Sequence, residues 1–170
     1  PQADTVFLLL AADSVAFIVK RLSMFVLRSK CTVSDVSADW HISGHIGTMA
    51  SSADTVSMYT RTLDGDRDGD GDGDGYALQL PSVTVDLQAF SREIQIKPAQ
   101  AATKTEAKTA VQADSLSLWN WLQVRSGIAL VGEAVREAFV PQMLNYESVG
   151  GINFKKGCYP GQEVVARSQF

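Results

Sequence analysis

The twelve residues 156–167, Lys156-Gly157-Cys158-Tyr159-Pro160-Gly161-Gln162-Glu163-Val164-Val165-Ala166-Arg167, bring a thiol, a cation, a carboxylate and two glycines together. Packing alone does not ask for that mixture. Gly157 and Gly161 bracket Cys158, Tyr159 and Pro160, and glycine with proline marks a tight turn where backbone can approach a ligand. The thiol is therefore expected on a loop. From Gln162 to Arg167 no breaker interrupts the run, which predicts the first turns of a helix with Glu163 at its positive N-terminal end. Lys155 and Lys156 lie close to Cys158 in sequence, and a cationic neighbourhood is what a reactive cysteine needs. Against this stands a plainer reading, in which the cysteine is a small apolar residue buried in a turn.

Taken further outward, the segment FVPQMLNYESVGGINFKKGCYPGQEVVAR, Phe139 to Arg167, closely resembles the signature of the YgfZ family of folate-binding proteins, relatives of the glycine cleavage system T-protein. The resemblance implies a tetrahydrofolate-binding protein that supports iron–sulfur enzymes, among them a tRNA methylthiotransferase, with a mitochondrial branch acting in iron–sulfur cluster assembly. The family's marked positions fall on Lys156, Cys158, Tyr159, Gln162, Glu163 and Arg167.

The composition bounds the reading. A chain of 170 residues with 45% apolar and 20% charged side chains can bury a core and is not of the disordered class. Its longest apolar runs, such as Val6 to Ala12, are too short to cross a bilayer and have no basic flank of the signal-peptide kind, so a cytoplasmic location is expected. Cys31 and Cys158 lie far apart with neither CxxC spacing nor a histidine cluster, which suggests neither a disulfide framework nor a zinc site. His41 and His45 are four apart, but Gly44 and Gly47 argue against a helix there, and they read as surface or turn residues; no metal is predicted. The net charge of −4 is uneven: residues 64–75, DGDRDGDGDGDG, hold six aspartates and one arginine and carry −5, leaving +1 elsewhere. No basic face for direct nucleic-acid contact is expected, and a link to tRNA would run through another protein.

In chain order, Thr5 to Ala11 reads as a short buried strand and Asp13 or Ser14 as the cap of a helix from about Val15 to Arg28. Val15, Ile18, Val19, Leu22, Phe25 and Val26 form one apolar face, with Phe17 and Met24 on the other side. Thr32 to Val36 reads as a strand and Trp40 to Ala50 as a poorly defined connection. Alternation at 56–59 and 76–80 predicts two strands joined as an extended hairpin by the Asp/Gly loop. A calcium loop would need a bidentate Glu at its twelfth position, and each register offers Gly75, Ala77, Gln79 or Pro81 instead, so a solvated hairpin tip is the reading. Val83, Val85 and Leu87, then Ile94 and Ile96, suggest further strands; residues 98–113 read as a linker. Asp114 or Ser115 caps a helix through Leu116, Trp119, Leu122 and Val124 that stops at Gly127.

Two tryptophans on one short helix are usually core or interface anchors. The resemblance adds a role to one of them: the family's folate-stacking tryptophan, eight residues before the helix-ending glycine, corresponds to Trp119, which leaves Trp121 to pack.

The fold class expected is α+β, an incomplete GcvT/YgfZ-type folate-binding fold without the family's N-terminal segment and C-terminal β-barrel. Residues 1–98 would be a partial first domain with a private insertion at 64–75, and 99–170 a linker and second domain. Exposed apolar surface is expected around Phe17 and Met24. Function follows the resemblance: Trp119, Lys156 and Tyr159 bind tetrahydrofolate or a one-carbon derivative, Cys158 is a reactive thiol, and Gly157, Gly161, Gln162, Glu163 and Arg167 are signature positions. Glu163 and Arg167 would order the loop by a salt bridge or caps. The alternatives are an aminomethyltransferase of the T-protein type, against which the cysteine signature counts, and a ligand-free structural fragment of this fold.

Overall fold

The structure is a computed structural model that describes residues 5–28, 30–49, 59–63, 75–99, 113–159 and 161–168, with backbone alone at 49, 59–63 and 113. The architecture is α+β, and the chain divides into two compact units, one of residues up to 35 with 127 onward, the other of 36–126.

The second unit is built on a four-stranded antiparallel sheet of order β1-β4-β3-β2. Its strands are β1 (Trp40–Met49), β2 (Tyr59–Leu63), β3 (Gly75–Val85) and β4 (Gln88–Pro98). The hairpin expected around the Asp/Gly loop is formed, since β2 pairs antiparallel with β3 and closes at Leu63 and Gly75. Residues 56–58, 64–74 and the linker 100–112 lie outside the described residues.

The region expected to be an ill-defined connection is instead the ten-residue strand β1, in continuous register with β4 from Trp40 opposite Pro98 to Met49 opposite Ala89. Its glycines do not break it; they make room. A Cβ on Gly44 would lie 2.9 Å from Cζ3 of Trp119, and one on Gly47 would lie 2.8 Å from the Ser91 hydroxyl. Glycine inside a strand often marks such a close approach.

β3 and β4 are joined by a two-residue turn, Asp86 and Leu87, both left-handed at φ 45° and 71°. Those are the signs of a primed hairpin turn, whose twist matches that of the flanking strands. Leu87 was expected to continue the alternation of Val83 and Val85; it sits at the tip, 97% exposed. A bulge between Leu80 and Val83 resets the register, so that Leu80, opposite Arg92, and Val83, opposite Phe90, are both buried.

α2 (Ala113–Arg125) ends as expected, with Arg125 in its last turn and Gly127 left-handed at φ 69°. Its inward face is narrower than the sequence suggests: Leu122 is fully buried, whereas Leu116 and Val124 are exposed.

In the first unit, residues 5–11 form no strand, and Val6, Phe7, Leu8 and Leu9 are exposed. Thr32 to Val36 likewise forms none. A strand needs a partner edge, and among the described residues this unit contains no strand to supply one. α1 runs only Val15–Ser23, short of the expected Arg28. Leu22, Met24, Phe25 and Leu27 are exposed, so nothing rewards further turns; helices owe most of their stability to packing. Neither Asp13 nor Ser14 makes a side-chain cap to α1. The Asp13 carboxylate instead accepts the Glu133 N–H at 3.0 Å, capping the 3-10 turn Glu133–Val135, while the buried Ser14 hydroxyl donates to the Val131 carbonyl at 3.4 Å. Arg136 then covers Phe17, its guanidinium carbon 4.0 Å from the ring centroid, so that of the pair expected to be bare only Met24 is.

Candidate functional site

The signature begins with Asn153, whose side-chain oxygen accepts the Lys155 N–H at 2.9 Å, an Asx turn that redirects the chain into Lys156. Gly161 is left-handed at φ 86° and is the N-cap position of α3 (Gln162–Arg167), the helix expected from sequence. Its Cβ would meet nothing within 4 Å, so glycine is required there for its backbone conformation and not for space.

Gln162 holds the loop shut. Its backbone N–H donates to the Tyr159 carbonyl at 3.3 Å, and its side-chain oxygen accepts the Tyr159 N–H at 3.2 Å. This reciprocal pair ties Tyr159 to the start of α3 much as a capping box fixes a helix start. Glu163 and Arg167, expected to order the loop by a salt bridge or caps, are exposed and make no ion pair with each other among the described residues. A second tie anchors α3: the Gln142 side chain donates to the Val165 carbonyl at 2.7 Å. Gln142 belongs to the turn Pro141–Leu144, which Asn145 terminates in a left-handed conformation while donating to the Gly127 carbonyl at 3.0 Å.

On this frame the Lys156 ammonium lies 4.3 Å from the Tyr159 ring centroid, a cation–π contact that orients the lysine across the bend. Cys158 is exposed, as is Gly157, whose Cβ would meet nothing within 4 Å. The reading of Cys158 as a buried packing residue is therefore set aside. Cys158 is exposed, two residues after Lys156 and next in sequence to the half-buried Tyr159.

Trp119 belongs to the sheet unit. Its ring lies over Gly44 and lines a cleft of about 980 Å³ between α2 and the β1–β4 face, with apolar walls that include Ile42, Ile46, Phe90 and Ile94. Trp121, assigned to packing from sequence, is 44% exposed and instead meets the Arg125 guanidinium at 5.9 Å. The indole of α2 that reaches the sheet is Trp119.

One residue beside Trp119, though not in the cleft lining, was not singled out from sequence. Arg92 sits at the middle of β4, opposite Ile46 on one side and Leu80 on the other, and is fully buried. Its Nη1 donates to the Gln123 side-chain oxygen at 2.6 Å, and its guanidinium carbon lies 5.5 Å from the Trp119 ring centroid. Nε and Nη2 have no partner among the described residues. Desolvation pushes this guanidinium below its ordinary pKa. A sequence signal existed: Phe90, Arg92, Ile94 and Ile96 share one face of β4, so the alternation itself places a cation among apolar neighbours.

No group of three metal-ligating side chains occurs among the described residues, and none of their helices is long and apolar enough to cross a membrane.

The fold and the loop together define an α+β chain that carries an exposed thiol on a glycine-hinged bend and, in its sheet unit, an indole-lined cleft. Comparison with curated proteins finds relatives of part of that chain. It is 40% identical over 79 residues to the tRNA-modifying protein YgfZ of Colwellia psychrerythraea, covering 46% of this chain and 24% of the relative. It is 48% identical over 58 residues to the protein of the same name from Edwardsiella ictaluri, covering 34% and 17%. Over the matched residues the chain is similar to YgfZ proteins. The matches span a quarter or less of the length of these relatives. No protein-family model matches the chain, and no solved structure does.

Proposed function

We propose that the chain is the tetrahydrofolate-binding part of a YgfZ-type accessory protein, with a GcvT/YgfZ-type fold, that supports maturation of iron–sulfur enzymes and through them tRNA modification. The observation that carries the reading is the position of Trp119: the indole lines an open, largely apolar cleft, the environment in which a flat pterin or aminobenzoyl ring gains most from stacking. The name shared by the two relatives supplies the link to tRNA modification. Lys156 and Tyr159 would contact the cofactor's polar groups, and Cys158 would be the thiol through which the protein senses or handles a client. No covalent step is assigned to it.

The test is a fluorescence titration with 5-formyltetrahydrofolate. Saturable quenching of tryptophan emission is expected in the unaltered chain and in Trp121→Phe, and its loss in Trp119→Phe. Equal quenching in Trp119→Phe would sink the assignment.

A further inference from the structure

The Arg92 guanidinium has zero exposure and, among the described residues, makes one hydrogen bond. Taking a guanidinium out of water costs several kcal/mol unless its donors are met and its charge is matched, and an arginine does not escape by losing its proton. The Gln123 amide supplies one neutral acceptor, and the face of Trp119 a weak electrostatic attraction. The atoms left unmet, Nε and Nη2, form one edge of the guanidinium, two parallel N–H donors pointing the same way. That edge is the one arginine uses for a bidentate bond to a planar oxyanion.

Its place in the sheet says what could reach it. Phe90 and Ile94, the residues two before and two after Arg92 on the same face of β4, line the cleft. Trp119 and Gln123, one turn apart on α2, cover the guanidinium, and the Trp119 ring is both the cover and part of the cleft wall. The Trp119 ring thus touches both the buried guanidinium and the open space with apolar walls. We propose that Arg92 is the recognition group of a carboxylate subsite at the floor of this cleft, opened when the Trp119 indole turns aside, and that the cleft takes small aromatic carboxylates. The ring packs against the apolar wall and the indole, while the carboxylate accepts both N–H donors of the free edge. The cleft and the indole are the ones the folate reading uses, and the minimal probe, benzoate, tests the Arg92 edge without a pterin.

The experiment uses the whole chain labelled with nitrogen-15, following the Arg92 Nε–H resonance, assigned through its backbone connectivity, during titration with benzoate, with benzamide as neutral isostere and with inorganic phosphate. A saturable shift of Arg92 Nε–H with benzoate is expected, at an affinity at least about tenfold above that for benzamide, because a charge-assisted pair is lost in the amide. Arg92→Lys, which keeps the charge and loses the fork, is expected to reduce benzoate affinity about tenfold if it folds; the unaltered chain decides the matter if it does not. An unmoved Arg92 resonance, or equal affinity for benzoate and benzamide, overturns the proposal and leaves Arg92 a structural cation held by Gln123 and Trp119. Saturation by phosphate at or below the benzoate concentration overturns the carboxylate assignment.

Discussion

Gly44 of β1 lies against the six-membered ring of Trp119, so close that a Cβ there would stand 2.9 to 3.2 Å from three ring carbons. The indole's position over the sheet therefore depends on the absence of one methyl group from the strand opposite. Gly44→Ala is expected to push the ring outward and destabilise the chain by about 1–3 kcal/mol, the usual cost of overpacking. Urea unfolding measures the loss, and a shift in native tryptophan emission reports the displaced ring. Unchanged stability together with unchanged emission would show that the ring is not seated on Gly44.

The same contact explains why β1 was not legible in the sequence. Glycines at positions 44 and 47 carry turn statistics, and nothing local reveals that a ring from residue 119 and a hydroxyl from residue 91 occupy the space they leave. The opposite error occurred at Val6 to Leu9, where an apolar run promised a buried strand but the unit offers no edge to pair with. Elements whose signals are local were readable: the C-terminal end of α2 before Gly127, the hairpin closed by Leu63 and Gly75, and α3 after Gly161, whereas Asp114 and Ser115, expected to cap α2, lie inside it. Arg92 needed both kinds of information. Its face follows from strand alternation, but its burial depends on a helix more than twenty residues away.

The turn between β3 and β4 places a leucine where glycine belongs. Leu87 has φ 71° and is almost fully exposed, so its side chain gives no packing in return for a left-handed backbone. Leu87→Gly is expected to stabilise the chain by about 1 kcal/mol, since an L-residue pays about 1–2 kcal/mol in that region and glycine returns part of the gain through unfolded-state entropy. A higher urea midpoint at unchanged slope is the expected result. A lower midpoint would mean that the turn is not of the primed type.

Cys158 and Cys31 are both exposed, which makes a prediction independent of any ligand. Under native conditions a water-soluble disulfide reagent is expected to titrate both thiols, and Cys31→Ser to leave a single reacting thiol at Cys158. If Cys158 reacts only after denaturation, the sulfur is enclosed and its role at the bend is lost.

Gln162 is expected to be the residue on which the bend depends. Gln162→Ala removes the acceptor for the Tyr159 N–H, a net loss of about 1 kcal/mol, and does not remove the cation–π contact of Lys156 directly. Hydrogen exchange at the Tyr159 amide should then accelerate several-fold relative to amides of β3 and β4. Glu163→Ala, which removes no partnered group of the bend, should leave that exchange unchanged. Equal acceleration in both variants would show that α3 as a whole, and not the Gln162 side chain, holds the loop.

The buried charge itself should be a net burden to the fold. Because burial depresses the Arg92 pKa, the cationic form is penalised in the folded chain at every pH below that depressed value, and the penalty lifts only as pH rises through it. Around neutrality it is fully present and does not change with pH. Replacing the pair by hydrocarbon of similar volume, Arg92→Met with Gln123→Leu, removes the cation and its one acceptor together and leaves neither orphaned. Such replacements of buried charge are commonly neutral or stabilising by about 1–4 kcal/mol. The double variant is expected to unfold at higher urea than the parent, with a gain that stays level from about pH 5 to 9, where an arginine remains protonated, and to lose discrimination between benzoate and benzamide. A double variant less stable than its parent would show that the Arg92–Gln123 bond and the Trp119 contact already repay the desolvation, and the argument for an anion at the free edge would lose its energetic ground.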